Sequence, residues 1–275
     1  MNAIATNSRT LDLGNGLQVT IEERGDTAGS AGRALLLLHG GAGPRSVAGL
    51  AAALAEHAPA PLVIPTHPGF EGTPRVPWLD SAADLADAYL DLLETLKLDE
   101  VMVIGNSIGG WIASEMALRD LQGRVKSVVL LNATGIRPDS PDQVTDIRGL
   151  SPQAIGKLST HNPALRFDPA ALSEEQRAVG AANQQVLALY SGRDFLFAPK
   201  LRRRLHRVAV PVLVAWGEED GILTPDYGRA YAASFPNGHY QAIAEAGHMP
   251  QIEQLGSVLS AIGDFVDTVV KPDGA

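Results

Sequence analysis

The residues with the clearest chemical potential form the pentapeptide Gly105-Asn106-Ser107-Ile108-Gly109. It follows Val101–Ile104, an apolar run typical of a buried strand, and precedes a helical pattern that starts near Trp111. On a tight turn from strand to helix a serine hydroxyl is exposed, and flanking glycines leave room where side chains would clash. The first N–H groups of the helix favour negative charge that develops there. This context favours a nucleophilic serine over an incidental serine in a glycine-containing turn.

A glycine-rich loop, His39–Pro44, directly follows the apolar run Ala34–Leu38. Glycines let a backbone approach a substrate and turn its N–H groups towards it. Such a loop suits one half of an oxyanion hole, and the N–H of Ile108 suits the other half. A phosphate-binding loop would need Gly-Lys-Ser or Gly-Lys-Thr, and a dinucleotide fingerprint would need a third glycine where Ser46 stands. Both nucleotide alternatives are therefore weak.

Two polar motifs late in the chain supply an acid and a base. Gly217-Glu218-Glu219-Asp220 follows the apolar run Val212–Trp216, and His248 precedes the last predicted helix. A serine hydroxyl is a poor nucleophile until a neighbouring base takes its proton, and histidine switches easily between base and acid near neutral pH. A buried carboxylate fixes the tautomer of that histidine. All these groups would lie at the carboxyl ends of parallel strands, where open α/β sheets place their sites.

The elements that must position these groups alternate along the chain. Strands are predicted over Leu17–Glu22, Ala34–Leu38, Leu62–Ile64, Val101–Ile104, Ser127–Leu131 and Val212–Trp216. Helical patterns lie between them, one beginning after Ser81 and the last running from about Gln254 to Val270. The alternation predicts an α/β fold with a mostly parallel sheet flanked by helices.

One segment, residues 135–208, interrupts the alternation with prolines and scattered polar residues. Short helices are predicted there over Pro152–Ser159, Ser173–Tyr190 and Pro199–Arg207. An insertion of roughly seventy residues between two core strands is typical of a cap over the active edge of a sheet. We therefore predict a core of residues 1–134 and 209–275 with a helical cap, residues 135–208.

Composition excludes several classes of protein. The 275 residues are 45% hydrophobic and 19% charged, as in ordinary globular enzymes. A net charge of −9 argues against a general nucleic-acid binder, and the lack of cysteine excludes disulfides, a thiol nucleophile and thiolate metal sites. No secretory signal is visible at the N-terminus, and no run approaches the roughly 20 apolar residues that span a bilayer. We expect a cytoplasmic protein without membrane partners.

Taken in order, these four motifs resemble the α/β-hydrolase fold family from about Leu17 to Val270. The resemblance implies Ser107 as nucleophile, His248 as general base and then acid, and Asp220 as the carboxylate that orients the imidazole. It also implies the backbone N–H groups of Gly41 and Ile108 as oxyanion donors. We expect no cofactor, no metal, a small-molecule acyl substrate, and a monomer or homodimer.

The favoured function is hydrolysis of a carboxylic ester, lactone or related acyl compound through an acyl-enzyme on Ser107. A carbon–carbon bond hydrolase of the meta-cleavage product type is an alternative, because Gly105-Asn106-Ser107 and His248-x-x-Gln251-x-Glu253 look like that family. Against it, Met249 stands where that family usually has tryptophan. A cofactor-free haloperoxidase-like enzyme is a further alternative, and a ligand receptor on a hydrolase fold is the alternative from another class.

Other polar and aromatic residues receive secondary roles. We expect His39 to tether the glycine-rich loop and His67 to be a substrate-contact candidate near the mouth of the site. The run Arg202–Arg204 is expected to be a solvated helix face. Four aromatic residues in the cap segment either line an apolar pocket or form the cap's own core: Phe167, Tyr190, Phe195 and Phe197.

The choice among three adjacent acids generates a prediction. A short aspartate on a tight loop holds one orientation towards a histidine better than a flexible glutamate, so we expect Asp220→Asn to lower turnover about 10⁴-fold. Glu218→Gln and Glu219→Gln should change turnover little, because both side chains are expected to face water. Steady-state ester hydrolysis by the three folded variants measures this. Near wild-type turnover in Asp220→Asn, with loss in a glutamate variant, would refute the assignment.

Overall fold

A computed structural model describes residues 6–25, 29–57, 60–166 and 168–270. The strands are β1 Thr6–Asp12, β2 Gln18–Arg24, β3 Arg33–Leu38, β4 Leu62–Pro65, β5 Glu100–Asn106, β6 Val125–Leu131, β7 Val212–Gly217 and β8 Gly238–Ile243. They form one sheet in the order β1-β2-β4-β3-β5-β6-β7-β8. The hairpin β1–β2 is antiparallel and β2 pairs with β4 antiparallel, whereas all other pairs are parallel. The predicted α/β class with a mostly parallel sheet is confirmed.

Helices cover both faces of this sheet. They are α1 Ala48–His57, α2 Ala82–Thr95, α3 Ile108–Arg119, α4 Pro152–Ser159, α5 Glu174–Ser191, α6 Pro225–Ala232, α7 Pro250–Glu253 and α8 Leu255–Phe265. On one face, Val103 packs with Leu85 and Tyr89 of α2; on the other, Ile104 packs with Leu50 of α1 and Ile262 of α8. Neighbouring residues of β5 thus face opposite layers, which explains its continuous apolar sequence. Within the described ranges, no helix is both long and apolar enough to cross a bilayer.

The six predicted strands are present, and two further strands were missed. Both lie at the edges of the sheet: β1 is exposed along nearly its whole length, and β8 alternates exposed with half-buried positions. Without a continuous apolar run, neither strand carries the pattern that marks the buried ones. The helix predicted from about Gln254 to Val270 is present as α8 and a π-helical turn, Val266–Val270, whereas the short helix α7 that precedes it was not predicted.

The prediction of a helix over Arg202–Arg204 is wrong, and of the three side chains only Arg203 is exposed as expected. In the predicted helix Pro199–Arg207 only a 3₁₀ turn, Leu205–Arg207, is helical. The preceding turns bring the Arg204 guanidinium to 2.9 Å from the buried carboxylate of Glu115 on α3. Arg119 contacts the same carboxylate at 3.1 Å, so Glu115 joins α3 to the chain that leads into β7.

Glu115 is therefore expected to stabilise the fold. We expect Glu115→Gln to lower the free energy of unfolding by about 1–3 kcal/mol, because a buried acceptor loses its charge while two guanidinium groups remain. Urea unfolding measures the difference. The matched control is Glu94→Gln, an exposed acid on α2, which should change stability by less than about 0.5 kcal/mol. Equal stability of the wild type and Glu115→Gln would contradict this role.

Candidate active site

Ser107 occupies a strained turn between β5 and α3. Its φ and ψ are 55° and −121°, a conformation that non-glycine residues rarely adopt. The N–H of Ser107 donates to the carbonyl of Leu131 at the end of β6 (3.0 Å), and the carbonyl of Ser107 accepts from the N–H of Thr134 (3.1 Å). These bonds hold the turn against the neighbouring strand, so the hydroxyl of Ser107 projects at the carboxyl edge of the sheet.

The two glycines of the pentapeptide are required by close backbone contacts. A Cβ atom on Gly105 would lie 2.3 Å from the carbonyl oxygen of Gly109. A Cβ on Gly109 would lie 2.4 Å from the carbonyl oxygen of Leu38 on β3. Because both obstacles are backbone atoms, they cannot move aside as a flexible side chain could. The steric reason inferred from the sequence is the one that the structure shows.

Ser107, His248 and Asp220 form one chain of hydrogen bonds. Nε2 of His248 lies 2.9 Å from Oγ of Ser107, and its Nδ1 lies 2.8 Å from Oδ2 of Asp220. A carboxylate only accepts, so Nδ1–H donates to Asp220 and Nε2 accepts the hydroxyl proton of Ser107. All three residues are buried. This arrangement can deprotonate the serine during attack on an electrophile and stabilise the imidazolium that results.

The carboxylate of Asp220 is fixed from several sides. Its Oδ1 accepts the N–H groups of Ile222 (2.8 Å) and Leu223 (3.1 Å), and its Oδ2 accepts Nδ2–H of Asn132 (2.8 Å) besides the imidazole. These bonds compensate for the burial of a charge. The neighbouring acids Glu218 and Glu219 are exposed, so the acid that faces the histidine is the predicted one.

Asn132 was not identified from the sequence. It follows β6 with a φ of 43°, and its Oδ1 accepts the N–H of Gly217 (3.0 Å) while its Nδ2 donates to Asp220. The side chain therefore ties the end of β6 to the acid loop after β7. An asparagine directly after a buried strand, of a residue type that tolerates positive φ, was the available signal.

Asn106 connects the serine turn to the histidine loop. Its Nδ2 donates to the carbonyls of Leu131 (3.0 Å) and His248 (3.1 Å). The residue before the nucleophile thus fixes the distance between the two loops that carry the serine and its base.

The glycine-rich loop lies beside the nucleophile. A Cβ on Gly40 would lie 3.1 Å from the Cβ of Ser107. Ile108 is the first residue of α3, where N–H groups lack intrahelical acceptors. A Cβ on Gly41 would lie 2.5 Å from Cδ2 of Leu187, so helix α5 of the predicted cap segment packs directly on this loop. The two proposed oxyanion donors therefore belong to the glycine-rich loop and to the first turn of α3, two segments that meet at Ser107.

Two buried histidines hold the start of the glycine-rich loop through hydrogen bonds. Nδ1 of His39 lies 2.7 Å from the carbonyl of Gly40, and its Nε2 accepts the N–H of His67 (3.1 Å). Nε2 of His67 donates to the carbonyl of His39 (2.8 Å), and its Nδ1 accepts the hydroxyl of Tyr89 (2.5 Å). Burial lowers the pKa of His39 to about 4. Burial, and next the charge of His39, lower the pKa of His67 well below its usual value.

His39 thus holds the loop as expected, but the expectation for His67 is wrong. His67 is fully buried, and both of its ring nitrogens are occupied by Tyr89 and His39. No ring nitrogen is left for a substrate. The local sequence gives no sign of this, because the burial of His67 depends on Tyr89, which comes from α2.

The aromatic residues of the cap segment do not share one environment. The hydroxyl of Tyr190 donates to the carbonyl of Pro68 (2.7 Å), and the Arg148 guanidinium lies 4.9 Å from the ring centre of buried Phe195. Phe195 and Phe197 line a cavity of about 680 Å³ to which neither Ser107, Asp220 nor His248 contributes. Phe167 lies outside the described residues. Among those residues, no cluster of three or more His, Asp or Glu side chains could hold a metal ion.

Comparisons with known proteins agree with the fold. Residues 33–255 match the family model described as the alpha/beta hydrolase fold. A 2-hydroxy-6-oxononadienedioate/2-hydroxy-6-oxononatrienedioate hydrolase of Dechloromonas aromatica is 27% identical over 72% of this chain and 73% of its own. A pimeloyl-[acyl-carrier protein] methyl ester esterase of Serratia marcescens is 27% identical over 59% and 69%. The crystal structure of a membrane phospholipase A shares the fold, with a TM-score of 0.80, 21% identity and coverage of 96% and 87%.

The buried His39 generates a pH dependence of stability. Its pKa is about 4 in the folded chain and near 6.5 when unfolded, so between these values only the unfolded chain takes up a proton. We expect the free energy of unfolding to fall as the pH decreases from about 6.5 to 4, by about 3 kcal/mol from this residue. Urea unfolding of the wild type and His39→Asn at several pH values measures this.

The His39→Asn variant should show a weaker loss of stability over the same pH range. An NMR titration of the His39 ring in the wild type provides a second measurement that needs no substitution. A ring that takes up its proton near pH 6.5 in the folded protein would contradict the prediction.

Proposed function

This chain belongs to the α/β-hydrolase fold family, and from that premise we propose that it is a serine hydrolase of carboxylic esters, lactones or related acyl compounds. The observation that carries the proposal is the hydrogen-bonded chain from Ser107 through His248 to Asp220, which starts at a strained strand-to-helix turn. Family membership alone does not select a substrate, so the reaction type depends on the residues at this turn.

In the proposed first half-reaction, Oγ of Ser107 attacks the substrate carbonyl while Nε2 of His248 takes the hydroxyl proton. Asp220 stabilises the imidazolium, and the N–H groups of Gly41 and Ile108 donate to the tetrahedral oxyanion. Collapse of the intermediate breaks the bond between the acyl carbon and the alcohol oxygen. The imidazolium gives its proton to that oxygen, so the alcohol leaves and an acyl-enzyme remains.

In the second half-reaction, water attacks the acyl-enzyme, and His248 takes one of its protons. The second tetrahedral intermediate collapses, Oγ of Ser107 leaves with the proton from the imidazolium, and the carboxylic acid is released. One water molecule is consumed for each ester bond that is cleaved. No other reactant is needed.

Apolar side chains of α5 near the glycine-rich loop favour a substrate with an uncharged acyl group. Leu187 of α5 packs on Gly41, and Val186 lies where a Cβ on Gly69 would be 3.1 Å from its Cγ1. Both are apolar: Leu187 lies on the glycine-rich loop that would hold the oxyanion, and Val186 lies on the turn after β4. Burying an uncompensated charge beside such side chains costs several kcal/mol, so a neutral ester or lactone is favoured over a dianionic substrate.

The second candidate is cleavage of a carbon–carbon bond, and the relative from Dechloromonas aromatica specifically favours it. The same serine could attack a ketone carbonyl, but the leaving carbon would first have to be protonated. Asn106 and the pattern from His248 to Glu253 suit this reading, whereas Met249 departs from it. Offering a neutral p-nitrophenyl ester and a 2-hydroxy-6-oxo-dienoate to the same enzyme separates the candidates by their kcat/KM.

Labelling and turnover test the serine-hydrolase proposal directly. We expect a fluorophosphonate probe to label the wild type at Ser107 and Ser107→Ala to lower ester turnover by more than about 10³-fold, because the nucleophile is lost. The matched control is Ser260→Ala, an exposed serine on α8, which should keep full activity and labelling. Many product molecules per enzyme indicate catalysis, whereas a single equivalent would indicate a receptor. Absence of labelling would overturn the proposal.

A further inference from the structure

The loops that carry Asp220 and His248 are both bonded to the end of helix α4. The last carbonyl groups of a helix have no intrahelical partners. Here the carbonyl of Leu158 accepts the N–H of Gly221 (3.0 Å), and the carbonyl of Ser159 accepts the N–H of His248 (2.9 Å). The end of one short helix in the predicted cap segment therefore contacts the acid loop and the histidine itself.

Glu253 completes this contact from the other side. Its Oε2 accepts the N–H of Gly247 (2.7 Å), the residue before His248. Its Oε1 accepts the N–H of Asn162 (2.8 Å), three residues beyond the end of α4. Hydrogen bonds to an ionised acceptor are about twice as strong as neutral ones. One carboxylate thus joins the histidine loop to the turn that follows α4.

The histidine loop and the end of α4 are also in close van der Waals contact. A Cβ on Gly247 would lie 2.7 Å from the carbonyl oxygen of Ser159 and 3.0 Å from Oε2 of Glu253. The backbone before His248 is therefore packed against the end of α4. The backbone of His248 is bonded to Ser159 at its N–H and to Asn106 at its carbonyl, and Glu253 holds the N–H of the residue before it.

We propose that Glu253 is a positioning residue for His248: its carboxylate links the histidine loop to the turn after α4 and so aligns the imidazole between Ser107 and Asp220. The inference rests on the proposed function, in which His248 is the general base. A displacement of about 1 Å in a catalytic group can lower a rate by 10²-fold, and the link therefore acts on kcat. Glu253 itself touches none of the three catalytic side chains in the described contacts.

Two substitutions remove the link from opposite ends. Glu253→Gln keeps the size of the side chain but turns one acceptor into an NH₂ group that faces an N–H donor. Asn162→Pro removes the other donor, and the φ of −71° at Asn162 suits proline. Because Asn162 also caps Ala164 through its side chain (3.0 Å), Asn162→Ala is the matched control: it loses the cap and keeps the backbone N–H.

We expect Glu253→Gln and Asn162→Pro to lower kcat by about 10- to 100-fold with KM changed less than about threefold, and Asn162→Ala to stay near the wild type. A thermal melt of each variant reports stability separately. A low-field proton NMR signal from Nδ1–H of His248 should weaken in the two link variants. Loss of folded protein alone would reduce active enzyme without changing that signal in the remaining fraction.

Unchanged kcat and an unchanged low-field signal in folded Glu253→Gln would overturn the inference, and so would equal loss in Asn162→Pro and Asn162→Ala. Failure of the proposed function gives a different result. In that case the wild type turns over no acyl substrate, whereas the NMR signal still shows whether Glu253 aligns the imidazole with Asp220.

Discussion

The backbone of Ser107 has a φ of 55°, and such strain persists only where surrounding contacts compensate for it. The compensation comes from three directions. Leu131 accepts from the N–H of Ser107, Thr134 donates to its carbonyl, and Gly109 packs against the backbone of β3 at Leu38. Because the turn is held by the carboxyl ends of neighbouring strands, every group that acts with Ser107 must be delivered to the same edge of the sheet.

Buried polar groups at that edge are stable only if each has a partner, and this requirement links distant parts of the chain. Asp220 needs Asn132 from the end of β6, and the loop of His248 needs Glu253 and the carbonyls at the end of α4. The site is therefore one network in which the acid, the base and the turn share acceptors. Removing one partner takes a hydrogen bond from its neighbour in the same network.

The local sequence pattern was enough to predict those elements whose structure is determined by neighbouring residues in the sequence. The buried strands and the turn around Ser107 are marked by apolar runs and glycines, and they lie where the pattern predicts. Asn132 could not be identified in this way, because Asp220 is 88 residues away in the sequence. Glu253 stood out only as part of a pattern after His248, and its bond to Asn162, 91 residues away, could not be inferred from that pattern. His67 was misplaced for the same reason: whether a histidine faces solvent or Tyr89 depends on how α2 packs.

The segment that contains α4 and α5 contacts the glycine-rich loop and the two loops that carry Asp220 and His248. Helix α5 places Leu187 on Gly41, whereas the end of α4 bonds the loops of Asp220 and His248. Under the proposed mechanism, the apolar side chains of α5 select the acyl group, and the carbonyls of α4 align the base that activates Ser107. A change that reshapes this segment for a new substrate also moves the hydrogen-bond acceptors of the catalytic loops. Substrate preference and turnover rate are thus coupled through the same backbone.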